Sequence, residues 1–276
     1  MFEVLSNTTI GPSLHRMVIR APRIAAARKP GQFVIVRLAE GEERIPLTIG
    51  DANMAEGTIT LFIQAVGAST RMIVATPVGG FIRDIAGPLG KPTHIERWGR
   101  VACVGGGVGT AVLYPLAKAL ADAGNQVTTI IGGRAANLII LKDELAAFSD
   151  NVLITTEDGS MGRKGFVTME LGDMLADPAL CPHAVFAIGP VPMMKAVAEL
   201  TRAQAIPTFV SLNPIMIDGT GMCGGCRVTV GGVSMFACVD GPEFDAHQVD
   251  FDNLFARLGT YREHEAADCR LKEQVK

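Results

Sequence analysis

Apolar and polar positions fall into three regimes along the chain. Up to about residue 95 the apolar residues form short runs rich in Val, Ile, Thr and Phe, at 17–22, 31–39, 44–52 and 57–66. Gly, Pro, Asp and Asn punctuate them. Short strands with turn signals and no long helical period predict a small antiparallel barrel, closed by a tight turn at Asp84-Ile-Ala-Gly-Pro-Leu-Gly90. From Arg100 the pattern changes. A buried strand at 100–109 runs into glycines, and 110–124 then repeats apolar residues at helical spacing and stops at Gly124. Strands at 126–133, 151–159, 183–190 and 207–212 alternate with helices at 137–149, 167–177 and 192–204. That alternation predicts a parallel sheet covered by helices on both faces. From about 213 the chain is loop-rich, with a hairpin expected around Gly231-Gly232. Such a stretch is too short to fold by apolar burial alone, so it needs a staple.

The fold expected is therefore β + α/β: a barrel over 1–97, a nucleotide-type α/β domain over 98–212, a stapled segment over 213–250 and a tail over 251–276. A length of 276 residues suits this division. The formal net charge of -3 excludes the strongly basic surface a nucleic-acid binder needs. The N-terminus lacks a signal-peptide layout and the apolar runs are Gly-broken, so no membrane span and a cytoplasmic location are expected.

Cysteine usage sharpens the picture. Three of the six cysteines fall between Cys223 and Cys238, which points to metal or redox chemistry rather than a disulfide framework. Cys181 and Cys269 stand apart, and Cys103 reads as a core residue. The spacing is Asp218-x4-Cys223-x2-Cys226-x11-Cys238. A C-x2-C pair grips one metal centre from a tight turn, and Gly224-Gly225 lets backbone N–H groups approach sulfur without Cβ clashes. Plant-type [2Fe–2S] spacing is C-x4-C-x2-C with a distant fourth Cys; here Asp218 stands in the first position. A zinc site using the same thiols is the alternative, and His247 is a second candidate for the fourth ligand.

Two further signals concern phosphates. Arg44-Ile45-Pro46-Leu47-Thr48 offers a guanidinium and a hydroxyl on a strand edge, and Gly67, Ser69 and Thr70 form a glycine turn at a helix start. Gly105-Gly106-Gly107-Val108-Gly109-Thr110 follows a buried strand and opens a helix, the context of a pyrophosphate turn. Thr110 stands where the last glycine of the strict motif would be. The next strand ends in Gly132-Gly133-Arg134, where an Arg can meet a 2′-phosphate. Gly189, Pro190 and Met193 end a later parallel strand, where such sheets bind ligands. No Ser/His/Asp or paired-carboxylate arrangement calls for hydrolysis.

Together these segments resemble the ferredoxin–NADP reductase superfamily over nearly the whole chain. Within it they are most similar to the small subunits of NADH-dependent reduced ferredoxin:NADP oxidoreductases. The matching text adds Thr156-Glu-Asp158-Gly-Ser and Phe236-Ala-Cys-Val-Asp-Gly-Pro-Glu-Phe-Asp to the motifs above. The resemblance implies an electron-transfer subunit with FAD at Arg44–Thr48, Gly67, Ser69 and Thr70. It implies NAD(H), or NADP(H) through Arg134, at Gly106–Thr110, Arg134, Asp158, Gly189, Pro190 and Met193. It implies a [2Fe–2S] cluster on Asp218, Cys223, Cys226 and Cys238. It further implies a larger, glutamate-synthase-like flavin and iron–sulfur partner subunit, ferredoxin reached through that complex, and partner contact by the tail 251–276. Electrons would pass from nicotinamide C4 through flavin N5 to the cluster, in a path that is bifurcating in that family. The related dihydroorotate dehydrogenase electron-transfer subunits normally carry a fourth Cys in place of Asp218 and form the second functional reading. A zinc-stapled nucleotide-binding regulatory module without flavin is the third.

Overall fold

The computed structural model describes residues 1–260; positions 261–276, including most of the tail expected to touch a partner, lie outside the described residues. The chain divides into two units. The first opens with β1 (Phe2–Gly11), β2 (Leu14–Arg20), α1 (Pro22–Ala27), β3 (Phe33–Arg37), β4 (Ile45–Asn53), β5 (Thr58–Gln64), α2 (Ala68–Val74), β6 (Phe81–Ile82) and β7 (Asp84–Leu89). These strands pair antiparallel in the order β6-β1-β2-β5-β4-β3-β7, a near-closed barrel. Its interior follows the period-2 rule: Met17 and Ile19, Val34 and Val36, and Ile59, Leu61 and Ile63 all turn inward and are buried. The 84–90 stretch, expected as a turn, pairs along β3 as a strand with one register shift. The strand β1 was not evident from the pattern, because Val4 is its one fully buried residue.

The second unit contains β8 (Arg100–Gly106), α3 (Gly109–Asp122), β9 (Gln126–Gly133), α4 (Lys142–Ala146), β10 (Asn151–Thr156), β11 (Arg163–Lys164), α5 (Val167–Ala176), β12 (Ala184–Ile188), α6 (Val191–Arg202) and β13 (Thr208–Ser211). After β13 the chain continues with the hairpin β14 (Arg227–Val230) and β15 (Val233–Phe236), then β16 (Glu243–Asp245) and α7 (Phe251–Leu258). The sheet order is β11-β10-β9-β8-β12-β13-β16, parallel except for the antiparallel edge strand β16. Val101 to Val104 and Ala184 to Ile188 are buried throughout, as a sheet covered on both faces requires. The helix expected over 137–149 is shorter. A 3-10 turn at Ala136–Leu138 precedes it, and Leu141 takes a left-handed φ of 56°, so regular helix is confined to Lys142–Ala146.

The segment expected at 213–250 is shared. Residues 213–242 group with the barrel, and 243–249, carrying β16, group with the parallel sheet. Gly231 and Gly232 have φ of 59° and 76°, the two left-handed residues of a type I′ turn joining β14 to β15. Among the described residues no helix is long and apolar enough to cross a membrane.

Candidate functional site

On the barrel, Arg44 is exposed immediately before β4, and Ile45, Pro46, Leu47 and Thr48 are half-buried along it, paired to β3. Gly67 caps α2; its N–H donates to Thr70 Oγ1 at 3.1 Å. The hydroxyl of buried Ser69 donates to the carboxylate of Glu43, next to Arg44. The two segments read separately along the sequence are thus brought together by Glu43, a residue the sequence reading did not select. An exposed guanidinium and a strand hydroxyl on one segment, and a glycine turn on the other, are the groups that can meet a diphosphate.

In the second unit the turn after β8 is built by close approach. The N–H of Gly107, at φ 55°, donates to Gly132 O at 2.9 Å. A Cβ at Gly109 would strike the Ile188 carbonyl oxygen and lie 2.7 Å from Gly189 Cα. A Cβ at Gly106 would lie 2.5 Å from Met193 Sδ and 3.0 Å from Pro190 Cδ. Gly106, Gly109, Gly189, Pro190 and Met193 therefore share one place at the carboxyl ends of β8 and β12, where α3 begins. Val108 is exposed there and Thr110 is buried behind it. Arg134, exposed, follows β9, and its carbonyl accepts the Asp158 N–H at 3.2 Å. The Asp158 carboxylate accepts Ser160 Oγ at 2.6 Å and the Ser160 N–H at 2.9 Å, and these bonds hold it below its ordinary pKa. An anionic carboxylate and an exposed cation thus mark adjacent strand ends.

The cysteine loop belongs to the barrel unit. Cys226 and Cys238 are buried with their sulfurs 3.1 Å apart, both free thiols. The Cys238 N–H points at Cys226 Sγ, and the Gly225 N–H at Cys223 Sγ, both at 3.5 Å. Cys223 is exposed. Desolvation, then the bond to Cys226, pushes the Cys238 thiol up to about 12. Asp218 accepts the Thr220 and Cys223 N–H groups at 3.0 and 2.9 Å, which lowers its pKa. Gly219, Gly221 and Gly224 have φ of 76°, 86° and 65°, folding the loop back on itself. A Cβ at Gly219 would press into Leu89 and Ile35 at 2.7 and 2.8 Å, so the loop is packed onto the barrel. Among the described residues no three His, Cys, Asp or Glu side chains stand ready as a metal cage. The close pair is Cys226 and Cys238, with Cys223 and Asp218 on the adjoining turn. Three thiols, one carboxylate, glycines and N–H groups directed at sulfur fit an iron–sulfur centre. His247 is placed elsewhere: its Nε2 meets Thr201 Oγ1 at 3.0 Å in the second unit. Cys103 is fully buried, and desolvation raises its thiol far above its usual pKa, so it is a core residue.

Comparison with known proteins finds relatives over nearly the whole chain. The profile of the iron–sulfur cluster binding domain of dihydroorotate dehydrogenase B matches residues 213–250. A dihydroorotate dehydrogenase B (NAD(+)) electron transfer subunit homolog of Thermotoga maritima is 46% identical over 263 residues, 95% of this chain and 92% of that protein. The dihydroorotate dehydrogenase B (NAD(+)) electron transfer subunit of Bacillus velezensis is 31% identical over 89% of this chain and 96% of its own. Among solved structures, a chain of the NADH-dependent reduced ferredoxin-NADP oxidoreductase, described for flavin-based electron bifurcation, is 44% identical. It superposes with a TM-score of 0.93, covering 100% of this chain and 98% of that one. An Amycolatopsis cytochrome P450 reductase, 19% identical with a TM-score of 0.62 over 74% of this chain and 66% of its own, shares the fold.

Proposed function

Because the chain belongs to the family of dihydroorotate dehydrogenase B-type electron-transfer subunits, we propose that it links NAD(H) to a [2Fe–2S] centre through FAD, within a ferredoxin/NADP oxidoreductase complex. It is an electron-transfer subunit of a flavin iron–sulfur oxidoreductase. FAD, when bound, accepts electrons in pairs and releases them singly, which joins a nicotinamide to a one-electron cluster. The residues of this chain supply binding and orientation. Arg44 and Thr48, with the Gly67–Thr70 turn, would hold the flavin diphosphate and ring edge. The Gly106–Thr110 turn would present N–H groups to the nucleotide pyrophosphate, with Gly189, Pro190 and Met193 beside it and Arg134 and Asp158 toward the adenosine end. The family supports NAD(H), whereas Arg134, standing at the end of β9 in place of an acidic residue, leaves room for the 2′-phosphate of NADP(H). Asp218, Cys223, Cys226 and Cys238 would hold the cluster. The partner in this reading is a larger glutamate-synthase-like flavin and iron–sulfur subunit, which in turn meets ferredoxin.

The observation that carries this reading is the donor set at 218–238: three thiols on glycine turns, with a carboxylate where plant-type spacing has a fourth cysteine. Replacing Asp218 by Cys tests it. The variant should still assemble a cluster, with altered EPR g-values and potential; an unchanged signal removes Asp218 from the ligand set. A protein isolated anaerobically without flavin and iron refutes the whole reading and favours the zinc-stapled module. The match of 213–250 to the dihydroorotate dehydrogenase domain favours a second reading, service to a dihydroorotate-oxidising flavin subunit. The large subunit that co-purifies from the native cell distinguishes the two.

A further inference from the structure

Helix α7 and the cysteine loop are joined by one residue whose role the donor set leaves open. Phe251 and Leu254 are the buried residues of α7, three positions apart, and seat it on β14. Asp250 fixes the start of the helix: its side chain accepts the Asn253 N–H, and its own N–H donates to Thr229 O, both at 2.9 Å. The next position on that face is Arg257. It is half-buried, and its Nη2 donates to the Gly225 carbonyl at 3.2 Å. Gly225 lies between Cys223 and Cys226, and its N–H is the one directed at Cys223 Sγ. This single glycine is therefore held from both sides, by a thiol and by a guanidinium. Arg257 and Arg227, together with Cys223, also line a cleft of about 350 Å³, and among the described residues no carboxylate lines it.

We propose that Arg257 is a positioning residue for the iron–sulfur centre, holding the Cys223–Cys226 loop through Gly225 and raising the reduction potential of the centre with its fixed charge. The proposal rests on the reading that these cysteines bind the cluster. Reduction adds one negative charge to the centre. A cation held close by stabilises the reduced form more than the oxidised form, and more strongly in a partly desolvated cleft than in water. The hydrogen bond to Gly225 also keeps the Gly225 N–H aimed at sulfur, and N–H groups directed at cluster sulfurs tune potentials.

The test is a potentiometric titration of the full-length holoprotein, followed by EPR, for wild type, Arg257→Gln and Arg257→Lys. With iron content unchanged, Arg257→Gln should shift the midpoint potential to more negative values, and Arg257→Lys should retain most of the wild-type value. A Gln variant with the wild-type potential, or a Lys variant shifted as far as Gln, overturns the proposal. If Arg257→Gln fails to assemble a cluster, Arg257→His removes the charge within one folded protein, by raising the pH from about 6 to about 8. Its potential should fall more steeply over that range than that of the wild type; equal slopes overturn the proposal. A wild-type chain with no iron and no cluster signal refutes the cluster reading itself, whereas normal wild-type signals with an inert Arg257 refute only its role.

Discussion

At Gly109 there is no room for a side chain. A methyl group would meet two fixed backbone atoms, the Ile188 carbonyl oxygen and Gly189 Cα, whereas at Gly106 it would meet the flexible end of Met193 and the ring of Pro190. Gly109→Ala should therefore destabilise the protein by about 2–3 kcal/mol, and Gly106→Ala by clearly less. Thermal unfolding of the two variants side by side checks the order. Both should weaken nucleotide binding, read as a raised NADH KM, because both displace the same turn. A second residue-scale expectation concerns Glu243. Desolvation pushes its carboxyl up to about 7, against the lowering effects of the Thr93 hydroxyl, which donates to it at 3.1 Å, and of His94. The folded state thus holds this proton more tightly than the unfolded chain, whose value is near 4.5. The resulting stability is present below about pH 4.5 and is lost as the pH rises through about 7. Since the residue is only half-buried, the loss is about 1–2 kcal/mol. Glu243→Gln should match wild type near pH 5 and exceed it at pH 8 in thermal unfolding; a pH-independent difference would refute the assignment. The glycine turn was legible in the sequence because a strand-to-helix glycine run has one common use. Glu243 was not, because its desolvation depends on neighbours distant along the chain, as does the link from Ser69 to Glu43.

Among the elements, those with strong periodicity were legible. The strands β3, β4 and β5 and the helices α3, α5 and α6 lie where apolar spacing places them. The paired glycines at 231–232 announced the β14–β15 hairpin through the left-handed conformations that its turn demands. Elements that depend on tertiary context were not legible. The strand β1 alternates too weakly to register, and the expected 137–149 helix is cut short because Leu141 turns left-handed as its side chain goes to the core. The three-residue β16 is shorter than any pattern window and becomes a strand by pairing with β13. Helix α7 is the element to test, because Phe251 and Leu254 are the residues it buries. Leu254 is 1% exposed, so Leu254→Ala should cost about 2–4 kcal/mol locally. Hydrogen exchange should then rise at the β14 and β15 amides beneath the helix, with the β8 and β12 amides unchanged. Equal protection in variant and wild type would mean that α7 contributes nothing to the hairpin.

At the scale of the whole molecule, the chain is discontinuous in a way that linear reading could not show. It leaves the barrel unit after Lys91, returns to it for 213–242, adds one edge strand to the parallel sheet at 243–249 and returns again at Asp250. The need for a staple beyond 213 was legible from a loop-rich stretch too short to fold by apolar burial alone; which unit receives the stapled segment was not, because Gly219 packs on Leu89 and Ile35, residues far away in sequence. This division has a consequence for metal removal. If the staple is a cluster, its binding free energy is folding free energy for the segment that holds it. That segment belongs to the barrel unit, whereas the parallel sheet owes its stability to continuously buried strands such as Val101–Val104 and Ala184–Ile188. Stripping iron with a chelator under reducing conditions should therefore act unevenly. Amides of 218–226 and of β14 and β15 should lose protection against hydrogen exchange, while those of β8, β9 and β12 should exchange as slowly as before. Calorimetry should show the same asymmetry, with one part of the unfolding transition moving to lower temperature and the other staying in place. A uniform loss of protection across both units would mean that the metal stabilises the fold as a whole, and that the division at 212–213 has no energetic counterpart.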